Sequence, residues 1–206
     1  MVDFSSSYSP SVNIERDDQK QFDYIVTPNS IEIYKQIVSN FDTAVHSFSI
    51  IGSYGTGKSS FLLAFMRNLR GDQNYFEPLN GELNKVKGFE FDRVVGQYSS
   101  LIRDMAQYFD LESDATENEI LGAIEKKHSK LKKAGKYWFI IIDEFGKYLE
   151  YAAKNNPEKE LYFIQLLSEY ANDPEKNIYV INTLHQAFDS YAFGLDVFQR
   201  KEWDKV

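Results

Sequence analysis

The 206-residue sequence predicts an α/β fold, a three-layer sandwich in which helices cover both faces of a mainly parallel β-sheet. Three observations predict it. First, Gly52-Ser53-Tyr54-Gly55-Thr56-Gly57-Lys58-Ser59 fits G-x-x-x-x-G-K-[ST] without a mismatch, between a short apolar run and a helix-forming one. Second, Tyr137-Trp138-Phe139-Ile140-Ile141-Ile142-Asp143-Glu144 is continuously apolar until an acidic pair, the pattern of a strand buried on both faces. Third, Asn177-Ile178-Tyr179-Val180-Ile181-Asn182-Thr183 gives another apolar strand ending in polar residues.

Along the chain, residues 1–18 are polar and Ser-rich and are expected to form a flexible arm before a single domain over 19–206. Thr27-Pro28 supplies a helix cap and a first-turn proline, and Ile31, Tyr34, Ile37 and Val38 carry the helical spacing towards Asn40. Phe48-Ser49-Ile50-Ile51 reads as the first strand. Phe61 to Met66 lies in a helix with no breaker before Gly71. Turn-forming residues fill the span from Gly71 to Gly88, and Phe89 to Val95 alternates as an edge strand does. Residues 99–110 read as a helix. Thr116-Glu117-Asn118-Glu119 is a capping box opening another, which Gly135 ends. No element is assigned between Phe145 and Asn155. Asn156-Pro157 then starts a helix with Leu161, Ile164, Leu167 and Tyr170 on one side, and Leu184 to Val206 reads as helix or loop.

The motifs have a common chemistry. Glycines in the first loop let the backbone approach phosphate oxygens without a Cβ clash, while its N–H groups and the following helix N-terminus converge on the anion. Lys58 would reach the β- and γ-phosphates and Ser59 would ligate Mg²⁺, with Ser60 completing the nucleotide-binding set from Gly52. Asp143 can hold the metal through its water shell, and Glu144 can polarise a water for in-line attack on the γ-phosphate. Carboxylates at a buried strand end are costly without nearby positive charge, which Lys58 and a Mg²⁺–nucleotide would provide. An ordinary tight βα turn would explain the glycines alone, but not their combination with the acidic pair.

Gly52–Ser59 and Ile140–Glu144 resemble the Walker A and Walker B motifs of P-loop NTPases. The Asp-Glu pair resembles the additional-strand, catalytic-glutamate division, which includes AAA+ and STAND ATPases and the HerA/FtsK-type motors. Ile142-Asp143-Glu144-Phe145-Gly146-Lys147 is also similar to large bacterial ATP-binding proteins, some linked to mobile elements or phage defence. This resemblance, covering roughly residues 20–190, implies a P-loop NTPase sandwich with strand order 5-1-4-3-2. Only four good strands are visible, so the chain is expected to lack its last strand and lid and to be part of a longer protein or a truncated product. The resemblance also implies a polar sensor beside the γ-phosphate. Asn182 and Thr183 are both eligible, strand alternation allows only one of them, and His185 and Gln186 lie just beyond. Tyr24, Ile25 and Val26 either contact adenine or seal the core beneath the N-terminal arm.

The expected activity is Mg²⁺-dependent ATP hydrolysis coupled to conformational change in a homo-oligomer or larger complex, with DNA-related or defence-related work. Turnover by the chain alone is expected to be slow, since Arg200 carries no mark of an arginine finger. A nucleotide-binding switch with little hydrolysis is the alternative. Asp143-x-x-Gly146 matches the D-x-x-G of GTPases, but no later Asn-Lys-x-Asp follows; a nucleotide kinase would bring an Arg-rich lid.

Composition narrows the classes further. Apolar residues make up 43%, with no continuous stretch near the ~20 residues that span a membrane. With no secretory signal at the N-terminus, a cytoplasmic location is expected. Zero cysteines exclude disulfides and thiolate metal sites, and the three histidines, His46, His128 and His185, are scattered. The balance of 23 basic and 31 acidic residues gives a net charge of −8, which disfavours a chain-wide nucleic-acid footprint. Lys126, Lys127, Lys130, Lys132, Lys133 and Lys136 form a local exception, read first as cations meeting the negative end of a helix dipole.

Overall fold

The structure is a computed structural model describing residues 12–41, 43–77, 86–192, 195, 200 and 203. Its sheet contains β1 (Ser47–Ile51), β2 (Gly88–Val95), β3 (Lys136–Asp143) and β4 (Ile178–Leu184), in the order β1-β4-β3-β2. All three pairings are parallel. Among the described residues β1 pairs with β4 alone, and β2 is the opposite edge, as its alternation predicts.

Strand alternation divides the interior into two cores. Trp138, Ile140 and Ile142 of β3, with Ile178, Val180 and Leu184 of β4, pack against α3 (Leu101–Tyr108), α4 (Glu117–Lys133), α5 (Gly146–Lys154) and α6 (Pro157–Ala171). The opposite face, Phe139, Ile141, Tyr179 and Ile181, packs against α1 (Pro28–Val38) and α2 (Lys58–Arg70). Helix α2 buries every residue from Phe61 to Arg67. Aromatic rings line the sheet beneath it, with Phe139 4.9 Å from Tyr179 and 5.2 Å from Phe91, centroid to centroid.

The predicted caps form. Thr27 and Thr116 each make a capping box, the second with Glu119. Helix α3 starts at Ser100, where the buried Glu160 carboxylate accepts from the Ser100 hydroxyl and from the Leu101 amide at 3.1 Å. Helix α5 has no counterpart in the sequence reading. Its N-cap Phe145 makes no side-chain bond and it begins on glycine, so the usual start signals are missing. Burial of Tyr148, Leu149 and Ala152 holds it instead.

The N-terminal arm also differs from expectation over residues 12–18; residues 1–11 lie outside those described. Ile14 is fully buried, and the Asn13 side chain accepts from the Glu15 and Arg16 amides, both at 2.9 Å. Asp18 bridges Arg70, at 2.5 Å, and Arg93, while Arg67 donates to the carbonyls of Asp17, Asp18 and Lys20. Arg67, Arg70 and Arg93 all stand far from this segment in sequence, which is why its polar composition reads as an arm.

Of the lysines crowding the end of α4, Lys127 pairs with the buried Asp92, Lys132 donates to the Glu175 carbonyl and Lys136 pairs with Glu90. Tyr24 and Val26 pack on the α2 core, whereas Ile25 is 83% exposed and seals nothing. Among the described residues, no helix is long and apolar enough to cross a membrane.

Burial opposes the charge on Asp18, but Arg70 and Arg93 outweigh it and hold the carboxyl below its ordinary pKa. A depressed carboxyl contributes stability above its unfolded pKa and loses it as pH falls through the folded value. Replacement of Asp18 by Asn is expected to cost about 1–3 kcal/mol at pH 7, since both arginines keep some solvent. The difference from wild type should narrow below pH ~4. Urea unfolding at pH 7 and pH 3 checks both; equal stability at pH 7 would contradict the latch.

Candidate nucleotide site

Three strand ends meet at one edge of the sheet. Ile50 lies beside Thr183, Asn182 beside Ile142, and the Gly52 amide donates to the Leu184 carbonyl at 3.1 Å. The loop from Gly52 to Gly57 leaves β1 there and turns into α2. Gly55 and Gly57 take φ of 75° and 83°, left-handed values that side chains disfavour. Gly57 is the N-cap of α2 and offers no side-chain bond, so the first N–H groups of the helix remain open to an anion. Ser59 and Ser60 sit half-buried in that first turn.

Lys58 is folded back onto its own loop. Its ammonium donates to the carbonyls of Gly52 at 2.5 Å and Ser53 at 2.9 Å, and lies 3.4 Å from His185 Nδ1. Thr56 donates to the Ser53 carbonyl at 2.8 Å. Burial lowers the Lys58 pKa from its ordinary value, with Asp143 and Glu144 partly opposing the shift. Tyr54, 72% exposed at the loop tip, stacks on His185 with centroids 3.5 Å apart.

The acidic pair is held from below. Asp143 shares the α2-facing side of the sheet with Phe139 and Ile141, and Thr183 shares it with Tyr179 and Ile181. Thr183 Oγ1 donates to Asp143 Oδ1 at 2.6 Å and accepts the Glu144 amide at 2.9 Å, which also reaches Asp143 Oδ1 at 3.0 Å. Asn182 lies on the other face, where its Oδ1 is buried without a hydrogen-bond partner among the described residues. The structure thus brings Thr183, Asp143 and Glu144 together at the edge that carries Lys58, and leaves Asn182 apart from them.

Glu144 adopts φ 53°, uncommon for a residue with a side chain. Gly96, just beyond β2, supports this turn. Its amide donates to the Asp143 carbonyl at 2.7 Å, and a Cβ there would collide with the Glu144 carbonyl. The Glu144 carboxylate pairs with Lys147 of α5. Tyr191 is buried against Gly146, and its hydroxyl accepts the His185 amide at 3.2 Å. Gly96 and Tyr191 are not among the residues that the sequence marks, because no motif spacing ties them to the loop; Lys147 closes the Ile142–Lys147 run but carries no role there.

Oxygen donors here suit a hard cation. Asp143 Oδ1 is engaged by the Thr183 hydroxyl and an amide, while among the described residues no hydrogen bond or ion pair reaches Oδ2; Ser59 supplies a hydroxyl. No group of three or more His, Asp or Glu that could hold a metal occurs among the described residues, so Mg²⁺ here would complete its shell with phosphate oxygens and water.

No family model matches the sequence, and no curated protein matches it. Solved structures do. Aeropyrum pernix ORC2, in its ADPNP–ADP complexes, is similar with a TM-score of 0.58 at 11% identity, over 91% of this chain and 48% of that one. C. elegans PCH-2 is similar with a TM-score of 0.50 at 11% identity, over 90% of this chain and 44% of that one. The chain therefore spans about half the length of these two proteins. The likeness shows its fold, an α/β P-loop NTPase-like sandwich.

Thr183→Val conserves shape while removing both hydroxyl contacts. It is expected to destabilise the chain by about 1–3 kcal/mol, and Thr183→Ser by much less. Urea denaturation of the pair checks this; equal losses would show that packing of the methyl group matters more than the hydroxyl.

Proposed function

We propose that the chain binds Mg²⁺–ATP and hydrolyses its β–γ phosphoanhydride, driving conformational change in an assembly with further copies or other proteins. The observation that carries this reading is the hydrogen-bonded group of Thr183, Asp143 and Glu144 beside Lys58 and the uncapped start of α2. In this reading Gly52–Ser60 cradle the phosphates through backbone N–H groups, and Lys58 exchanges its loop carbonyls for β- and γ-phosphate oxygens. Ser59 and Asp143 would hold Mg²⁺, which would neutralise charge on the phosphate oxygens. Glu144 accepts a proton from the attacking water. Thr183, rather than Asn182, serves as the polar residue of β4, fixing the Asp143 carboxylate and the Glu144 backbone. ATP is favoured over GTP because no Asn-Lys-x-Asp that would read guanine follows, and because the Asp143-Glu144 pair resembles the catalytic-glutamate division of ATPases. That ORC2 was solved with ADPNP and ADP supports the choice of nucleotide. What the assembly acts upon, DNA or a defence target, depends on surfaces outside this site.

A nucleotide switch with little turnover is the second reading, favoured by the resting contacts. Lys58 is occupied by loop carbonyls and Glu144 by Lys147, so neither group is free before nucleotide arrives. Phosphate release and nucleotide binding, measured together, separate the two. Lys58→Ala should abolish tight binding. Glu144→Gln should keep binding and lose turnover by about 100-fold or more, from a slow wild-type rate. Unchanged turnover in Glu144→Gln would replace hydrolysis with the switch.

A further inference from the structure

We propose that the outward ridge of α4 is a docking surface for the phosphate backbone of a DNA duplex. Lys126, Lys130 and Lys133 would grip it without regard to base sequence, with Lys87 at the end of the row. Burial of Ile120, Ile124 and His128 fixes which side of α4 meets the core. At 3.6 residues per turn the three lysines project from the opposite side, and all three are exposed. Neighbouring lysines are already committed, Lys127 to Asp92, Lys132 to the Glu175 carbonyl and Lys136 to Glu90. Lys126, Lys130 and Lys133 have no acidic residue three or four positions away, and none makes an ion pair among the described residues. Glu119, the nearest acid along the ridge, lies about 10 Å back from Lys126, with its carboxylate held by Thr116. Lys87 extends the row past the helix end. Its amide donates to the Gly135 carbonyl at 2.9 Å, and its stem lies so close over Gly135 that a Cβ there would sit 3.1 Å from Lys87 Cδ.

The helix dipole accounts for only part of this row. Lys130 and Lys133 stand in the last turn, where cations meet its negative end, but Lys126 precedes that turn. Like charges three and four residues apart oppose the helix, and a polyanion laid along them turns repulsion into attraction. From Lys126 to Lys133 the axis rises about 10 Å, the span of about three phosphates on one strand of DNA. Between the lysines the ridge holds Ser129, and before them Gly122, both small enough for a rod to approach closely. It carries no aromatic or branched apolar side chain. It therefore lacks the anchor of a protein interface and the platform on which single-stranded bases stack. It also lacks the Arg, Asn and Gln that read base edges, so charge is what it offers. The acidic balance of the whole chain, −8, confines such contact to this ridge. Helix α4 ends where β3 begins, and the candidate nucleotide site lies at the far end of β3, roughly 20 Å away. The two surfaces are separate.

Fluorescence anisotropy of a labelled DNA duplex mixed with the full chain, over a rising salt series, tests this surface. Wild type should bind weakly, with log affinity falling against log salt at a slope of about −3, the counterion release expected when Lys126, Lys130, Lys133 and Lys87 meet phosphates. Lys126→Gln, Lys130→Gln and Lys133→Gln should each reduce that slope by about 1, and the triple variant should bind at least about tenfold more weakly at low salt. Glutamine keeps the helix propensity of these exposed positions. Should the triple variant unfold in a thermal scan, the single variants carry the comparison. The same substitution at three exposed lysines elsewhere, Lys35, Lys154 and Lys159, should leave affinity within about twofold of wild type. No binding by wild type at low salt, a slope near zero, or equal weakening in the Lys35, Lys154 and Lys159 control would overturn the proposal. So would tighter binding of single-stranded DNA or of an RNA duplex, or equal competition by poly-glutamate, which would make the ridge a site for acidic protein segments.

Discussion

Burying a strand that ends in carboxylates is the constraint on which the structure turns. From Trp138 onward β3 is shielded by two cores and flanked by β2 and β4, so its last residue emerges from a low-dielectric interior with a charge. Four buried carboxylates illustrate how the molecule meets that difficulty. Asp18 has two arginines, Asp92 has Lys127, and Glu160 has the start of α3 and the Ser100 hydroxyl. Asp143 has, among the described residues, only the Thr183 hydroxyl and an amide. Among the described residues it is the buried aspartate without a cation salt-bridged to it, which leaves one oxygen for a charge brought from outside.

The Glu144 turn extends the same economy of contacts. Thr183 and Asp143 hold its amide, Gly96 leaves room for its carbonyl, and Gly146 lets Tyr191 close over the next residues. A left-handed glutamate persists only where its surroundings over-determine it. Because Tyr191 also anchors His185, the exit of β4 and the turn after β3 are joined by one ring.

Much of the framework was legible in the sequence because it rests on local rules. Apolar runs marked β3 and β4, glycines marked the loop between β1 and α2, and Thr27 and Thr116 announced their helices. What escaped depends on partners distant along the chain. Helix α5 lacks a cap and is held by burial. Residues 12–18 look like an arm until Arg70 and Arg93 are placed beside Asp18. Sequence left Asn182 and Thr183 equally eligible; of the two, Thr183 lies on the face of Asp143 and bonds to it, a contact that reading one strand alone does not reveal. Gly96 could not be singled out, since its importance is a contact with the next strand.

The inward fold of Lys58 has a consequence for selectivity by affinity. A cation already satisfied by two carbonyls gains little from exchanging them for one weak acceptor. Small singly charged anions from the medium therefore have little hold on the loop, whereas a chain of phosphates can supply several acceptors at once. Under the proposed function, the closed lysine sets a threshold that a single monovalent anion does not cross and a polyphosphate does.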